Sequence, residues 1–440
     1  MLRERRICLW YVGVLLPVAC WAQTPQSEDW NAKFQATYIW QYKRPFAAAY
    51  SGLNSLSSER EKSYSFSSTG FLGFRPWTGG EFYINPQVSQ GTSFSDEKGL
   101  GAFTSGDLSA AHDGPPPTLS LTRIFLRQTW GFGGAKEDIE SDANQLAGKV
   151  DRRRFVLTAG YMYVLDLFDD NAFSHDLRTQ FMNWSLFTQG AYQYAADAYG
   201  RAWGLALEYH YDDWAIRAGR FMQAKLPGGR SLDTRILRHY GDQLEVERRH
   251  EIAGQPGVVR LLAFHNRAVM SRFQDALDFA AANGGTPDID DVRNREQVKY
   301  GFGLNVEQNL TPDVSVFARA SWSDGRTATY TFAEVDRSVS AGASIRGSAW
   351  ARREDTLGVG VARNALSQVH REYLAAGGLG VFIGDGRINY RPEEIFETYY
   401  SVNVLKNAWV TFDFQRIRNP AYNADRGPVT VESLRMHIEF

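Results

Sequence analysis

Apolar and polar residues alternate along most of this chain with a period of two, which is the spacing of a β-strand with one wet and one dry face. In 33–43 only Ile39 breaks the series, whose apolar members are Phe34, Ala36, Tyr38, Trp40 and Tyr42. The chain also ends on such a segment, with Leu434, Met436, Ile438 and Phe440 on one face and Arg435, His437 and Glu439 on the other. A membrane β-barrel needs this pattern in every strand, including the last strand, which closes the ring.

The alternating segments predict an all-β fold, a transmembrane antiparallel barrel of about sixteen strands, and an even number is the rule in bacterial single-chain barrels. No long low-complexity linker divides the chain, so 23–440 is expected to form this one barrel domain. The predicted strands cover 31–43, 63–75, 80–91, 118–131, 153–163, 199–211, 213–224, 241–251, 256–267, 295–308, 313–323, 338–348, 353–363, 396–405, 407–416 and 428–440.

The connections alternate in length, as do the short periplasmic turns and long extracellular loops of outer-membrane barrels. Short connections are expected at 75–80, 212–213, 309–313 and 406–407, and long ones at 44–62, 92–117, 164–198, 268–294 and 364–395. The segment 132–152 departs from this rule, and we expect a short helix around Glu137–Ala147 there. A soluble β-sandwich would not keep its long loops at one end.

The N-terminal residues have the pattern of a secretory signal peptide. Arg3, Arg5 and Arg6 precede an uncharged run of 7–18, and Ala22 offers a cleavage site. The run is shorter than the roughly 20 residues of a spanning helix, which disfavours an uncleaved anchor. We therefore predict that 1–22 is a signal peptide, and that Phe440 is the terminal residue by which the barrel-assembly machinery recognises the last strand.

Composition excludes several function classes. Both cysteines, Cys8 and Cys20, lie in the predicted signal, so disulfides and thiolate sites are not expected in the mature chain. The formal net charge is −2, and removing 1–22 takes away three arginines and one glutamate, which leaves −4. This charge argues against a nucleic-acid partner.

Metal-binding and catalytic patterns are weak. His175 with Asp176 has no second histidine nearby, and His250 and His265 fall on separate predicted strands without ligand spacing. There is neither a GxSxG elbow nor a nucleotide-binding glycine motif. We expect no metal, no cofactor and no enzymatic activity; a hydrolase carried on a barrel, which would need a Ser/His pair on one face, is a less favoured alternative.

The longest connection, 164–198, is the third external loop in this scheme, and a loop of that length usually has a function. In other sixteen-stranded barrels of this type the third loop folds into the lumen and narrows it. Polar groups and aromatic faces of the kind that recognise sugars are dense in this loop. The candidate constriction residues are Asp169, Asp170, Asn171, His175, Arg178, Gln180, Asn183 and Trp184. The alternative is that these side chains only tie the loop to the barrel wall, as buried polar groups usually do.

On the wall, alternation places several charged residues on the face away from lipid, where charge costs least. These are Arg123, Arg127, Glu208, Arg217, Arg319 and Asp413. The arginines could orient hydroxyl groups or attract anions, or they could be neutralised by acidic neighbours in ion-pair ladders. Four glycines on the same face, Gly204, Gly219, Gly301 and Gly303, suggest a lumen with free space.

Five segments, ordered along the chain, resemble the carbohydrate-selective porins of the OprB type. They are IFLRQTWGFGG (124–134), DLFDDNAFSHDLRTQFMNW (166–184), DDWAIRAGRFM (212–222), HREYLAAGGLGVFIGDGRINYRPEEI (370–395) and NPAYNADRGPV (419–429). The resemblance implies a sixteen-stranded barrel in the bacterial outer membrane that lets glucose and related small sugars diffuse passively into the periplasm. A porin for organic anions, or a purely structural barrel, remains open as an alternative. Outer-membrane lipid is the expected surroundings, and a homo-oligomer is possible.

Overall fold

The period of two along the sequence becomes a closed antiparallel sheet in the structure, a computed structural model that describes residues 27–107, 113–330 and 333–440. Each strand pairs with its neighbours in the sequence, and β1 pairs with β16 to close the ring. The strands are β1 Trp30–Lys43, β2 Glu61–Trp77, β3 Gly80–Thr92, β4 Thr118–Ile139, β5 Gly148–Tyr163, β6 Arg201–Tyr211, β7 Trp214–Met222, β8 Tyr240–Ile252, β9 Gln255–Val269, β10 Glu296–Asn309, β11 Val314–Ser323, β12 Arg337–Gly347, β13 Arg352–Ala365, β14 Glu393–Leu405, β15 Ala408–Arg418 and β16 Val429–Glu439.

The barrel prediction is confirmed, including its sixteen strands. The described helices all lie in long connections: α1 Trp184–Phe187, α2 Phe273–Asn283 and α3 Gln368–Ala375. Single 3₁₀ turns occupy Phe94–Glu97, Val164–Asp166, Ser348–Trp350 and Pro420–Tyr422. In the part of the chain that the structure describes, no helix is both long and apolar enough to cross a bilayer. The predicted signal peptide, 1–22, lies outside the described residues.

The connections alternate between tight turns at one end of the barrel and long loops at the other. The turns are 78–79, 140–147, 212–213, 253–254, 310–313, 348–351 and 406–407, and the loops include 164–200 and 366–392. Asp212 takes the left-handed conformation, with φ of 53°, that a two-residue hairpin turn requires. The termini lie at the end that carries the short turns, because β1 begins and β16 ends there.

The predicted helix around Glu137–Ala147 is wrong, because the flanking strands run further than alternation suggested. Lys136 pairs with Asp151 and Ile139 with Gly148, so β4 and β5 extend to an eight-residue turn at 140–147. Cross-strand ion pairs support the extension, including one between Lys149 and Asp138 at 2.9 Å. Opposite charges facing each other across a ladder stabilise a hairpin that has no apolar face of its own.

The outward face of the sheet is apolar and the inward face is polar, as a membrane barrel requires. On β16, Met436, Ile438 and Phe440 are exposed on the outer surface, while Arg435 and His437 are buried inside. Ile39, the exception in the β1 series, also points inward and is buried. The largest apolar cluster therefore lies inside the barrel, where inward side chains pack against the long loops; its members include Phe168, Phe181, Trp184, Tyr192, Phe264 and Phe317.

Candidate functional site

The connection between β5 and β6, residues 164–200 and called the third loop below, packs against the inner wall of the barrel. Its residues from 181 to 198 are all buried. Between 169 and 184 the loop forms hydrogen bonds to inward side chains of β8, β10, β11, β14, β15 and β16, and Arg178 contacts β2 and β3. The inner faces of β4 to β7 consequently form the opposite side of the lumen.

Asp169 is the most heavily bonded residue of the loop and is fully buried. Its carboxylate accepts hydrogen bonds from Thr188 Oγ1 at 2.8 Å, Gln189 N at 2.7 Å and Asn305 Nδ2 at 2.7 Å. Arg319 Nε on β11 approaches the same carboxylate at 3.3 Å, and Arg319 also donates to the carbonyls of Ser174 and Leu186. This pair therefore fixes the loop to the wall.

Wall carboxylates bind the loop through its backbone N–H groups. Glu245 accepts from Asp169 N at 2.8 Å, and Glu307 accepts from Ala172 N at 2.6 Å. Glu397 accepts from the N–H groups of two consecutive loop residues, 182 and 183, at 2.6 and 3.0 Å. Sequence reasoning missed these glutamates; alternation identifies them as inward but does not identify a loop backbone as their partner.

Arg435 on the last strand provides the complementary contact. Its guanidinium donates to the carbonyl oxygens of Leu177 at 2.8 Å and Gln180 at 2.7 Å, and its side chain is almost fully buried. Asp413 lies close by on β15, where it accepts from Gln415 Nε2 at 3.4 Å and Ser433 Oγ at 3.5 Å. Thus the predicted site residue Asp413 lies in the wall network beneath the loop.

Several loop residues predicted at the constriction have structural partners in the interior. Asn183 caps α1 by accepting from Ser185 N at 3.1 Å, and it donates to Gln415 Oε1 at 3.1 Å. Trp184 is 2% exposed and packs edge-to-face on Phe187 and Phe103. Asn171 is equally buried and donates to Asn305 Oδ1 at 2.8 Å.

The remaining constriction candidates of the third loop have part of their side-chain surface exposed. The side chain of Asp170 is 62% exposed, and its carboxylate lies 3.4 Å from Arg260 on β9. His175 Nε2 contacts the carbonyl of Leu165 at 3.0 Å, while Gln180 Oε1 accepts from His175 N at 2.7 Å. Contact with solute stays a prediction for all of these residues.

Arg178 reaches from the loop across to β2 and β3. Its guanidinium donates to Gln87 Oε1 at 3.1 Å and lies 3.5 Å from Thr69 Oγ1. Among the described residues, no carboxylate oxygen comes within 4.0 Å of this guanidinium. Arg178 is therefore a charged donor that is held by neutral groups.

Two inward arginines of β4 are close to acids, and one of these acids, Asp166, lies in the first turn of the third loop. Arg123 forms a bidentate pair with Asp166, with distances of 2.7 and 2.6 Å, and lies over the ring of Tyr163 at 4.5 Å. Arg127 donates to the carbonyl of Asn144 at 3.0 Å and lies 3.7 Å from Glu81. Both guanidinium groups are partly exposed.

A second group of charges continues around the wall from β6 to β10. Arg217 contacts Glu208 at 2.9 Å, Glu245 at 3.0 Å and Glu247 at 2.8 Å. Arg260 contacts Glu247 at 3.0 Å and also faces Glu307 and Asp170. The ladder of ion pairs that was one alternative for the inward arginines is thus the arrangement the structure has.

The four inward glycines do not leave free space beside them. A Cβ at Gly303 would lie 1.4 Å from Gln189 Oε1 of the third loop, and one at Gly219 would lie 3.1 Å from Phe168. A Cβ at Gly204 or Gly301 would meet the rings of Phe221 or Phe264 at 2.4 Å. These glycines instead allow side chains of the third loop and aromatic rings of the wall to pack closely against the sheet. The prediction that they indicate free space in the lumen was therefore wrong.

The second long connection, described over 93–107 and 113–117, lies over the third loop. Gly106 N donates to the carbonyl of Met182 at 3.0 Å, and Trp184 N donates to that of Phe103 at 3.0 Å. The N–H groups of Gly101 and Ala102 bond to the buried Glu393 carboxylate of β14 at 2.9 and 3.1 Å. No group of three or more His, Cys, Asp or Glu side chains arranged to hold a metal occurs in the described ranges.

A closed sixteen-stranded barrel with an apolar outer face, a charged inner wall and a loop held against that wall defines an outer-membrane porin. The chain belongs to the carbohydrate-selective porins, because the family model described as "Carbohydrate-selective porin, OprB family" matches residues 74–440. It is accordingly a protein of the Gram-negative outer membrane, and the solutes it handles are small.

One solved structure supports the fold. The high-pH structure of Pseudomonas putida OprB matches with a TM-score of 0.69 and 17% sequence identity, over 94% of this chain and 94% of that chain. Weaker matches include Acinetobacter baumannii OccAB1, with a TM-score of 0.49 and 10% identity over 94% and 97% of the two chains. A BenF-like porin from Pseudomonas fluorescens Pf-5 gives a TM-score of 0.47 and 8% identity over 94% and 99%. None of the curated proteins compared with the sequence matches it.

Proposed function

We propose that this porin is a passive channel that prefers neutral sugars, glucose among them, over charged solutes of the same size. Solute enters through the long loops and is screened between the third loop and the inner faces of β4 to β7. It then leaves into the periplasm down its own gradient. No covalent step is involved.

The observation that carries the proposal is the neutralisation of the inward arginines of β4, β7 and β9, two of which, Arg123 and Arg260, have a carboxylate of the third loop among their partners. Arg123, Arg127, Arg217 and Arg260 each have a carboxylate oxygen within 4.0 Å. A permeating anion would have to compete with these fixed carboxylates for each guanidinium, and it would also be repelled by them. A neutral polyol meets no such penalty, since its hydroxyls can donate to the carboxylates and accept from the guanidinium groups.

The selectivity we propose is weak and distributed over several contacts. A site that binds tightly does not release its solute, so conduction needs interactions that form and break easily. Arg178 with Gln87 is the loop-side candidate for such contacts, because this guanidinium is held by neutral groups only at 3.1 and 3.5 Å. Asp170, whose side chain is 62% exposed, offers acceptors on the same loop.

A porin for small organic anions is the second candidate, and Arg178 is the residue that favours it. Its positive charge has no described carboxylate within 4.0 Å. This arginine would give an anion one attractive position in a lumen whose other inward arginines are paired with carboxylates.

Planar-bilayer conductance of the refolded protein tests these candidates. Open-channel current is recorded while glucose, a disaccharide and a small organic anion are titrated in turn. Block by the sugars at concentrations that leave the anion without effect supports the sugar channel. Block by the anion alone shifts the function to an organic-anion porin. Absence of conductance from a folded, heat-modifiable barrel leaves the hydrolase and structural alternatives.

Three partners belong to the same proposal. The outward apolar residues contact outer-membrane lipid, Phe440 is recognised by the barrel-assembly machinery, and the barrel can associate with further copies of itself. The signal peptide at 1–22 directs export to that machinery.

A further inference from the structure

An unusual group of charges lies on the outward face of the barrel, at the end that carries the long loops. Arg363 is two residues from the end of β13, Arg416 is two residues from the end of β15, and Arg418 is the last residue of β15. The side chains of Arg363 and Arg418 are 60% and 70% exposed. A charge on the lipid face is costly at mid-membrane and nearly free close to the headgroups, so these residues mark headgroup depth.

The arginines border a groove in the outer surface. The groove has a volume of about 530 Å³, and the side chains of Val339, Val361 and Phe396 form its apolar part. Arg363, Arg416, Arg418 and Glu394 line the same groove. In the strand register Arg363 lies beside Val339, and Arg416 lies beside Phe396, while Arg418 pairs with Glu394 one step nearer the loops. An apolar groove bordered by cations near the loop end of the strands has the polarity of a site for a lipid with an anionic headgroup.

Among the described residues that line the groove, three guanidinium groups face one carboxylate. Glu394 lies 3.9 Å from Arg363 and 3.8 Å from Arg418, so two guanidinium groups share one carboxylate. Within the described part of the chain, the side chain of Arg416 has one polar contact, a long hydrogen bond to Thr430 Oγ1 at 3.5 Å. The lining residues therefore carry a net charge of about +2 at neutral pH by the ordinary side-chain pKa values.

We propose that this groove, between β12 and β15, binds a phosphorylated lipid of the leaflet on the loop side. The phosphate would sit among Arg363, Arg416 and Arg418, and an acyl chain would lie along Val339, Val361 and Phe396. Arginine suits this role because its planar fork donates two parallel hydrogen bonds to phosphate oxygens.

A second copy of the chain fits the groove less well. Outward carboxylates at the same end of the barrel already have arginine partners within their own chain. Asp242 pairs with Arg220 at 2.7 Å, Glu296 pairs with Arg267 at 2.5 Å, and Glu432 pairs with Arg44. A protein partner identical to this one would thus bring few free anions to the groove.

The test uses the full-length folded porin in a neutral detergent, analysed by native mass spectrometry. The probes are bisphosphorylated lipid A, zwitterionic phosphatidylcholine and inorganic phosphate alone. The test variant combines R363Q, R416Q and R418Q. The matched control combines R220Q, R248Q and R267Q, three outward arginines elsewhere that remove the same charge. Heat-modifiable mobility on gels verifies that each barrel is folded.

We expect lipid A to bind the native barrel in preference to phosphatidylcholine. The R363Q/R416Q/R418Q variant should lose about a hundredfold in apparent affinity, given about 1 kcal/mol for each of three basic residues near a charged membrane surface. The control variant should bind as the native chain does. Equal loss in both variants, or equal retention of both lipids by the native chain, would overturn the proposal. Binding of inorganic phosphate as strong as that of lipid A would mean that the groove holds a free anion. If the native chain formed an oligomer without bound lipid and the test variant did not, the groove would be a contact between subunits.

Discussion

Phe34 and Phe440 exchange both of their backbone hydrogen bonds. Phe34 N donates to the carbonyl of Phe440 at 3.0 Å, and Phe440 N donates to the carbonyl of Phe34 at 2.8 Å. The last residue of the chain therefore completes the ladder between the first and last strands. Its ring is 66% exposed on the outer surface, where it is free to contact lipid or another protein.

Deleting Phe440 should impair assembly in cells more than it impairs stability in vitro. The loss of two backbone hydrogen bonds costs up to about 2 kcal/mol, which a barrel closed along the rest of β1 and β16 can tolerate. The measurement compares the heat-modifiable fraction in isolated outer membranes with that after refolding from urea. F440Y is the control, since it keeps the backbone bonds and the aromatic ring. If the heat-modifiable fraction fell equally in both assays, Phe440 would act only by closing the barrel between β1 and β16.

Strand positions could be predicted from the sequence because a membrane barrel imposes the same rule on every strand. A shift of one residue would bring the polar face into contact with lipid, so the register is strongly specified. The prediction failed where this rule no longer applies. At 132–152 the hairpin extends with charged residues on its surface, and the ion pairs that hold it carry no period-two apolar signal.

The residues of the candidate constriction could be predicted only in part from the sequence, for a related reason. Alternation places Arg319 inside, but it cannot show that the partners of Arg319 are carbonyl oxygens of the third loop. The loop itself has no periodicity, so Trp184 could be read equally as a sugar platform or as packing. The structure places Trp184 in the packed interior, 2% exposed.

Replacing Arg319 with Gln should loosen the third loop. The substitution removes the cation from Asp169 and the donors from two loop carbonyls, all within a buried region. Breaking a buried pair by removing one partner costs about 3–5 kcal/mol. We expect larger single-channel conductance with more frequent fluctuations, and a lower urea midpoint. R337Q, which replaces an exposed arginine on the outward face of β12, is the control and should leave conductance unchanged. Unchanged conductance in R319Q would show that the pair of Arg319 and Asp169 does not control the size of the pore.

Removing one member of the wall ladder should shift ion selectivity in a direction set by the sign of the charge. R217Q leaves Glu208, Glu245 and Glu247 with less positive charge nearby, so the lumen should favour cations. E208Q removes a negative charge from the same group and should shift selectivity toward anions. Reversal potentials in a potassium chloride gradient measure both. Shifts in the same direction for the two variants would show that structural damage, rather than charge, is being measured.

A buried ion pair in the external loops should make one loop sensitive to alkaline pH. His370 on α3 lies 3.0 Å from Asp336 and 3.5 Å from Glu334, and its ring stacks on Phe273 at 4.1 Å. Burial by itself would lower the pKa of His370, but the two carboxylates outweigh it and raise the pKa to about 9. A histidine with a raised pKa stabilises the folded loop below its unfolded pKa of about 6.5, and this stabilisation is lost as pH rises through about 9.

Hydrogen exchange of 366–392, measured from pH 6 to 10 and corrected for the intrinsic rate, should therefore accelerate through about pH 9. Burial would raise the pKa of Asp336, but the charge of His370 outweighs it and lowers that pKa to about 2. A carboxylate with a lowered pKa stabilises the folded loop above its unfolded pKa, and this stabilisation is lost as the pH falls through the folded pKa. The same contact should therefore weaken in acid only below about pH 4. H370N, which cannot become charged, should show no step at alkaline pH. A step that persists in H370N would assign it to another group.

Arg178 and Trp184 separate the two interpretations of the third loop, solute contact and structural packing. Arg178 is partly exposed and is held by Gln87 and Thr69, whereas Trp184 is packed between Phe103 and Phe187. If Arg178 donates to sugar hydroxyls, R178A should raise the glucose concentration for half-block about fivefold, which corresponds to the loss of about one hydrogen bond worth 1 kcal/mol. W184F keeps an aromatic ring in the interior and should leave glucose block unchanged. Titration of single-channel block by glucose distinguishes the cases, and a larger effect of W184F than of R178A would place the sugar contact at the packed face of the loop instead.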